Sequence, residues 1–391
     1  MSKFTKIAVD GTAALAQGGG IGRFTHGLIQ GLASVDHETQ YTICYAKDAT
    51  KIPPFDLPAN FRWQRLGLTQ KQAIWLWHRL HLPLPIDLWL GRPTLYHSPD
   101  YTLPPLARAR GIVTIHDLSF ETLPEVHEPK LRRYLQSAVP YSIKRATHVF
   151  ADSESTRQDI IDYYNTEPAK ITVVYPGVEP RFRPFKANLP ADGAALHQVR
   201  STYDLERPFI LIVGTLEPRK NMATLIRAFA RYRRQGKNEL QLVIAGGGGW
   251  LSERETLQKL VVELALTDDV YFTGFVPDEQ LPALINLAQA MVYPSLYEGF
   301  GLPVLEALAC GVPVITARNS SLTEAGGHAA HYIDNARDAD ALAHALTDVL
   351  HDQAKRQHMI AKGLDHAKKF TWESTGRQVV GLYKQVLGKG S

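Results

Sequence analysis

The sequence predicts an α/β protein with two Rossmann-like domains, each built around a parallel β-sheet. Short β-branched runs alternate with glycine-bearing turns and helical periods, which is the pattern of β-α-β units. That pattern occurs twice along the chain. The 391 residues also exceed the length at which one hydrophobic core keeps growing, so two domains are the expected organisation.

Each half of the chain contains its own series of candidate strands. The strands predicted in the first half are Lys6–Asp10, Tyr41–Tyr45, Leu95–His97, Gly111–Ile115, His148–Ala151 and Ile171–Val174. The strands predicted in the second half are Phe209–Val213, Leu240–Ala245, Val270–Thr273, Ala290–Tyr293 and Val312–Thr316. A helix beginning near Ile21 is expected after the first strand.

The segment from Pro176 to Pro208 is rich in proline and charge, and these prolines are expected to break regular structure. We therefore place the linker here, with an N-terminal domain over 1–184 and a C-terminal domain over 185–370. The amphipathic stretch 371–391 follows the second sheet without a further strand. It predicts a C-terminal helix that closes the second half and can join the first domain.

Composition excludes several classes of protein. With 45% hydrophobic and 21% charged residues the chain is neither disordered nor fibrous. Cys44 and Cys310 belong to no metal-binding cluster, which predicts buried thiols in a reducing compartment. The amino terminus carries no apolar signal core and no run is long enough to span a membrane, so a cytoplasmic location is expected. A net charge of +4 is too small to indicate nucleic-acid binding.

The motif that carries most information is Tyr-Pro-Ser-Leu-Tyr-Glu-Gly-Phe-Gly-Leu-Pro-Val-Leu-Glu-Ala, residues 293–307. A strand, a glycine turn and a helix start would aim the amides of Gly301 and Leu302 at an anion, where the helix dipole favours a diphosphate. Glu306, expected in the first helical turn, could accept hydrogen bonds from two ribose hydroxyls, and Glu298 would lie nearer the sugar. The alternative is a capping glutamate with a solvated loop carboxylate.

This segment resembles the EX7E signature of glycosyltransferase family 4, a retaining family with the GT-B fold. The resemblance is closest over 209–314 and is recognisable in Gly18–Phe24, His116-Asp117 and 151–153. It implies two Rossmann-like domains facing a cleft, with a nucleotide-sugar donor bound mainly by the C-terminal domain and a glycan or lipid-linked acceptor by the N-terminal domain. The turn Gly299, Phe300, Gly301 and Leu302 would contact phosphate and sugar.

A second motif lies at the end of the first strand of the C-terminal half. There the run Val213-Gly-Thr-Leu-Glu-Pro-Arg-Lys-Asn presents Gly214, Arg219 and Lys220 before a helix. Two fixed cations can stabilise the charge on a diphosphate leaving group, which is the role the resemblance implies for Arg219 and Lys220. A solvated pair that caps a turn is the alternative.

Two motifs in the first half are candidates for the same reaction. The glycine loop 18–22 lacks the third glycine of a dinucleotide fingerprint at position 23, which disfavours a nicotinamide enzyme. The resemblance places Gly20 and Gly22 near the donor phosphates and Arg23 near the acceptor. His116 ends a buried strand and would contact the donor sugar, with Asp117 on the acceptor. Alternatively, His116 is structural and Asp117 caps a turn.

Two further contacts are expected from aromatic and apolar residues. Phe275 and Val276 resemble the family position that holds the nucleotide base, although they could be core residues. Four tryptophans, Trp63, Trp75, Trp77 and Trp89, are interleaved with arginine and lysine. This segment either contacts a membrane interface peripherally or packs on the protein.

No metal site or cofactor is predicted, because Asp338-Ala-Asp340 falls in a helical stretch and no other DxD loop is credible. Runs beginning at Tyr96 and His116 most resemble bacterial O-antigen and polysaccharide mannosyltransferases. The expected reaction is retaining transfer of a hexose, with mannose from GDP-mannose as the first choice of donor. Another UDP-, dTDP- or ADP-sugar, or a nucleotide-sugar epimerase of the same fold, is the alternative.

Overall fold

A computed structural model describes residues 5–49, 56–236, 239–249 and 252–388. The chain divides into two compact units. Met1–Gly177 and Phe370–Ser391 form the first unit, and Val178–Lys369 form the second. Each unit contains one parallel sheet flanked by helices, as the sequence predicts.

The first unit is built on a seven-stranded parallel sheet in the order β3-β2-β1-β4-β5-β6-β7. Its strands are β1 Lys6–Asp10, β2 Gln40–Tyr45, β3 Phe61–Arg65, β4 Leu95–Ser98, β5 Arg110–Ile115, β6 His148–Ala151 and β7 Ile171–Val173. The central strands are buried along nearly their whole length, which a parallel sheet covered on both faces requires. The predicted strands are confirmed to within a residue or two.

Within the described residues, seven α-helices surround this sheet: α1 Thr12–Ala16, α2 Gly20–Val35, α3 Gln70–Ala73, α4 Ser119–Thr122, α5 Pro129–Arg145, α6 Glu154–Tyr164 and α15 Trp372–Gly388. A six-residue π-helix, Ile74–Arg79, continues α3. The sequence analysis missed β3, because Phe61–Arg65 has no β-branched residue and lies in the tryptophan-rich segment.

The four tryptophans of this segment do not all pack on the protein, and they do not all remain exposed for a membrane contact. Trp77 is buried and donates from Nε1 to the carbonyl of Leu84, so this residue packs on the protein. Trp63 lies on β3 against Tyr45. Trp75 and Trp89 are about half exposed and remain available for other contacts. The described residues contain no helix that is long and apolar enough to cross a membrane.

Helix α15 follows the second half in sequence but packs on α2 of the first unit. Glycines make this contact close: a Cβ on Gly27 would lie 2.0 Å from the Trp372 ring, and one on Gly376 would lie 2.3 Å from the Gly31 carbonyl. Tyr383 also bonds the buried His97, with 2.7 Å between Oη and Nδ1. The C-terminal helix therefore completes the first unit, as its amphipathic face allows.

The second unit is built on a six-stranded parallel sheet in the order β10-β9-β8-β11-β12-β13. Its strands are β8 Phe209–Val213, β9 Gln241–Ala245, β10 Val270–Gly274, β11 Ala290–Tyr293, β12 Val314–Ala317 and β13 His331–Ile333. Its helices are α7 Pro190–Tyr203, α8 Met222–Arg233, α9 Glu253–Glu263, α10 Leu281–Leu287, α11 Leu302–Ala309, α12 Leu322–Gly326, α13 Ala339–His351 and α14 Gln353–Ala367.

Two expectations about the junction are corrected. The boundary lies after Gly177 rather than after residue 184, because Arg181 and Phe185 already bond Asp278 and Asn286 of the second unit. The predicted linker also contains α7, which begins at Pro190. Proline is compatible with a first helical turn, where its missing N–H costs nothing.

The glycine contact between α2 and α15 predicts the direction in which two substitutions change the melting temperature. Gly27→Ala should lower the melting temperature, since the new methyl group meets the Trp372 ring and overpacking costs roughly 1–3 kcal/mol. Gly381→Ala is the matched control, because it lies in α15 with nothing within 4 Å of its Cβ position. It should stabilise the protein by about 0.5–1 kcal/mol. Equal shifts of both variants in thermal unfolding would contradict the packing argument.

Candidate active site

Four neighbouring strands of the second sheet deliver their loops to one edge. The loops follow β10, β9, β8 and β11 and comprise residues 274–276, 246–249, 214–220 and 294–301. Carboxyl ends of parallel strands meet at the same edge of an open sheet, where such folds bind ligands. Nearly all the candidate donor residues of the C-terminal half therefore lie together.

At this edge of the sheet, glycines let the backbones of neighbouring loops approach each other closely. A Cβ on Gly246 would lie 1.8 Å from the Gly214 carbonyl, and a Cβ on Gly249 would lie 1.5 Å from the Leu216 carbonyl. Only glycine fits such close approaches. The sequence analysis overlooked the run Gly246–Gly249, although four glycines directly after a buried strand were a readable signal.

The carboxylate of Glu298 lies between the two candidate cations. Its Oε2 accepts from Arg219 Nη1 at 2.8 Å, its Oε1 accepts from Lys220 Nζ at 2.7 Å, and Oε1 also accepts from the Ser295 hydroxyl. Burial would raise the pKa of Glu298, but Arg219 and Lys220 lower it to about 2. Glu298 is therefore an anion at neutral pH, although only 6% of it is exposed.

Two residues that sequence reasoning missed complete this charge cluster. Glu217 Oε1 accepts from Arg219 Nη2 at 2.6 Å. The Tyr293 hydroxyl accepts from Lys220 Nζ at 2.6 Å. Two carboxylates thus face two cations, and the formal charges of the cluster sum to zero.

The glycine turn before α11 has the predicted form. Gly301 adopts φ 100°, a left-handed conformation that favours glycine, and Pro303 occupies the first helical turn. Among the described residues, no side chain caps this helix and no acidic residue lies in its first turn, which leaves its amino-terminal end suited to an anion. Gly299 and Phe300 of the same turn are buried.

Glu306 lies about one residue further along α11 than expected. The helix begins at Leu302, so Glu306 is its fifth residue and its first turn contains no acidic side chain. The expectation of a first-turn position was wrong because the helix begins directly after the left-handed Gly301, one residue before Pro303, which places Glu306 just past the first turn. Glu306 is only 1% exposed. Its role on ribose stays a prediction.

The two residues proposed for the nucleotide base differ in burial. Phe275 is 66% exposed, whereas Val276 is buried. The Phe275 side chain lies beside Gly247, 3.7 Å from the position of a Cβ there. An exposed aromatic ring next to a glycine loop is a surface on which a flat base can stack.

In the first unit, His116 is held by both ring nitrogens. Nδ1 lies 2.6 Å from Asp152 Oδ2, and Nε2 lies 2.8 Å from the Pro99 carbonyl oxygen. Burial alone would lower the pKa of His116, but the Asp152 carboxylate raises it to about 9. An imidazolium satisfies both acceptors at once. Asp152 therefore orients this histidine, while Ser153 caps α6.

The remaining candidates of the first unit lie at helix starts. Gly20 begins α2, and a Cβ on Gly22 would meet the Gln17 carbonyl at 2.2 Å. Arg23 lies on the same helix. Asp117 Oδ1 accepts from the amide and hydroxyl of Ser119, at 2.9 and 2.7 Å, which is the turn-capping alternative. The donor and acceptor roles of these residues stay predictions.

Other sequence expectations concern thiols and metals. Cys44 and Cys310 are free and buried, as predicted. Asp338 caps α13 by accepting from the amides of Asp340 and Ala341. Within residues 5–49, 56–236, 239–249 and 252–388, no group of three histidine, cysteine or acidic side chains could hold a metal ion. Metal independence of the reaction remains a prediction.

Comparison with known families assigns both halves of the chain to sugar-transferring enzymes. Residues 18–182 match the family model described as Glycosyltransferase Family 4, and residues 197–366 match Glycosyl transferases group 1. The O-antigen chain mannosyltransferase B of Escherichia coli is 34% identical over 291 residues, which cover 74% of each chain. This protein therefore belongs to glycosyltransferase family 4. It is a glycosyltransferase, and the epimerase alternative gains no support.

Two further similarities define the extent of the match. The serotype-specific mannosyltransferase WbdA of Escherichia coli is 28% identical over 265 residues, which cover 66% of this chain but 31% of that relative. Sucrose-phosphate synthase from Thermosynechococcus elongatus has a TM-score of 0.78 at 21% identity, with 99% of this chain and 100% of that chain covered. The second similarity establishes the fold, which is GT-B.

The pair of His116 and Asp152 predicts a pH-dependent stability. The pKa of His116 rises from 6.5 to about 9 on folding, so the stabilisation is complete below pH 6.5 and is lost as the pH rises through 9. The melting temperature of wild type should exceed that of Asp152→Asn near neutral pH, and the difference should shrink towards about pH 10. Asp162→Asn, on the exposed face of α6, is the control. A difference that stays constant with pH would exclude the charged pair.

Proposed function

We propose that this glycosyltransferase transfers mannose from GDP-mannose, with retention of anomeric configuration, to a glycan or lipid-linked acceptor in the synthesis of a cell-surface polysaccharide. The observation that carries the proposal is the 34% identity to an O-antigen mannosyltransferase over about three quarters of both chains. A second relative at lower identity is also a mannosyltransferase.

The proposed donor position follows the carboxyl edge of the second sheet. Phe275 would stack on the base, Glu306 would accept from the ribose hydroxyls, and the amides at the start of α11 would face the diphosphate. Arg219 and Lys220 would turn towards the phosphate oxygens while keeping contact with Glu298. Glu298 and the phosphates would then share the two cations, which limits the desolvation cost of burying them.

The proposed chemical step breaks the bond between the anomeric carbon and the β-phosphate oxygen. The acceptor oxygen bonds to the anomeric carbon on the same face, and the departing phosphate oxygen takes the acceptor proton. The negative charge left on GDP is stabilised by Arg219, Lys220 and the α11 amides. No metal ion is needed for this charge balance, and we propose that none is used.

The geometry of Glu298 favours this route over a covalent intermediate. A carboxylate nucleophile needs an oxygen free to attack the anomeric carbon. Both oxygens of Glu298 are instead engaged with cations, and its pKa of about 2 reflects how strongly they hold it. We therefore assign Glu298 to orienting Arg219 and Lys220 and to contacting sugar hydroxyls.

We further propose that the enzyme acts in the cytoplasm, with peripheral contact to the inner face of the membrane where a lipid-linked acceptor resides. Two buried, unpaired thiols suit a reducing compartment. The half-exposed Trp75 and Trp89 are the aromatic side chains available for an interfacial contact.

The donor assignment predicts a specific pattern of nucleotide binding in EDTA. GDP-mannose should raise the melting temperature more than UDP-, dTDP- or ADP-sugars. Arg219→Ala should weaken both GDP and inorganic pyrophosphate, by roughly ten- to a hundred-fold, because a charge-assisted contact to phosphate is lost. Glu306→Gln should weaken GDP but leave pyrophosphate unchanged, because Glu306 contacts ribose alone.

Arg254→Ala and Glu255→Gln, on the exposed side of α9, are the matched controls and should bind both ligands as wild type does. A thermal shift that requires a divalent cation would contradict the metal-free proposal. Equal loss of pyrophosphate and GDP binding in Glu306→Gln would contradict a contact between Glu306 and the ribose.

Retention predicts the configuration of the product. With a mannoside acceptor, proton NMR of the product should show an α-linkage, since the donor is an α-mannosyl phosphate. A β-linked product would mean inversion.

A further inference from the structure

The first unit contains a cavity of about 380 Å³. Its walls come from the ends of β1 and β4, from α1 and α5, and from the π-helix Ile74–Arg79. The volume lies in the range typical of small-molecule sites. None of the residues assigned to donor binding in the second unit lines it.

Two acidic side chains lie in the cavity wall. Asp10 accepts from the Thr12 amide at 2.8 Å, and Asp100 accepts from Gln17 Nε2 at 3.3 Å. Burial raises the pKa of both carboxyls. Among the described residues that form the wall there is no lysine or arginine to compensate them. Carboxyl groups that face open space without a cation are available to accept hydrogen bonds from a ligand.

His78 supplies a further polar group. This side chain lines the cavity, is only 6% exposed, and its Nδ1 has no hydrogen-bond partner among the described residues. Burial lowers the pKa of His78 to about 4, so the ring is neutral at physiological pH. A buried polar atom without a partner is costly, and a ligand hydroxyl would satisfy it. The residue belongs to a π-helix, an element frequent at functional sites.

The cavity lies beside His116, the histidine that the sequence indicates as a candidate site residue. Tyr101 forms part of the wall, and its ring centroid lies 5.4 Å from that of His116. Tyr101 adopts φ 44°, a conformation that a bulky residue rarely takes. Burial raises the pKa of Asp100, and the charge of His116 offsets part of that rise. A ligand in the cavity would therefore lie next to His116.

The chemistry of the wall decides between three kinds of occupant. A hydrocarbon chain would leave Asp10, Asp100 and His78 desolvated without hydrogen bonds, which is costly. A phosphorylated or carboxylated group would be repelled by the two aspartates, with no cation in the wall to offset them. A sugar ring offers hydroxyls to the carboxyls and apolar C–H faces to Trp77, Tyr101 and Tyr134, which complete the wall.

We propose that this cavity binds the terminal sugar of an uncharged glycan, the acceptor, through Asp10, Asp100 and His78, and that it excludes acceptors with a phosphate on that sugar. The assignment rests on the proposed function and moves acceptor recognition from Arg23 and Asp117 to these three residues.

The test is direct binding of small glycosides to the full-length protein without donor. Saturation-transfer NMR with methyl α-D-mannoside, methyl β-D-glucoside and mannose 6-phosphate should detect at least one neutral glycoside and not the phosphate. Asp100→Asn should weaken the neutral glycoside about ten-fold, as expected for loss of a hydrogen bond to a charged group. The same variant should admit mannose 6-phosphate, because one repelling charge is gone.

Asp162→Asn is the control of equal chemistry outside the cavity and should behave as wild type. His78→Gln provides a second variant if Asp100→Asn lowers the melting temperature, and it should also weaken the neutral glycoside. Binding of mannose 6-phosphate by wild type, absence of any neutral glycoside binding, or binding unchanged in both variants would overturn the proposal. Nucleotide binding is measured separately. A negative result with glycosides therefore does not contradict the proposed donor site, and a negative result with nucleotides does not affect the interpretation of glycoside binding.

Discussion

The buried carboxylate of Glu298 is the interaction on which the second unit's site depends. Arg219 and Lys220 would repel one another and would be costly to bury without it, and they in turn keep Glu298 ionised. Ser295 and Ser320 fix this carboxylate and its backbone. The loops after β8 and β11 are therefore joined by charge, and Arg219 and Lys220 are held in fixed positions at this edge of the sheet.

Glycine plays the complementary role by removing side chains where backbones must meet. In the second unit, Gly246 and Gly249 bring the loop after β9 against the loop after β8. In the first unit, Gly31 and Gly376 bring α2 and α15 into backbone contact, and Gly27 makes room for the Trp372 ring. The same property thus brings two loops together in one place and two helices together in the other. Substitution is tolerated only at glycines with open space around them.

Most of the fold could be read from the sequence because parallel strands buried on both faces are short continuous apolar runs. β3 and β13 were not predicted, because their residues are polar or half-buried and form strands only through pairing with neighbouring strands. The motifs located Arg219, Lys220 and Glu298, since strand ends and glycine turns are local signals. Glu217, Asp152 and His78 could not be found in this way. The partner of Asp152 and the cavity lined by His78 come from segments distant in sequence, whereas Glu217 bonds Arg219 two residues away but shows no signal of its own within the motif.

The return of α15 to the first unit has a consequence for how the chain is made. The ribosome releases the first sheet long before Trp372 and Tyr383 exist, so the face of α2 that bears Gly27 and Gly31 and the buried His97 have no cover during synthesis of the whole second unit. Domains usually fold from the amino terminus as they emerge. Here the first domain is the last to be finished, and its exposed apolar face must be shielded until the final helix docks.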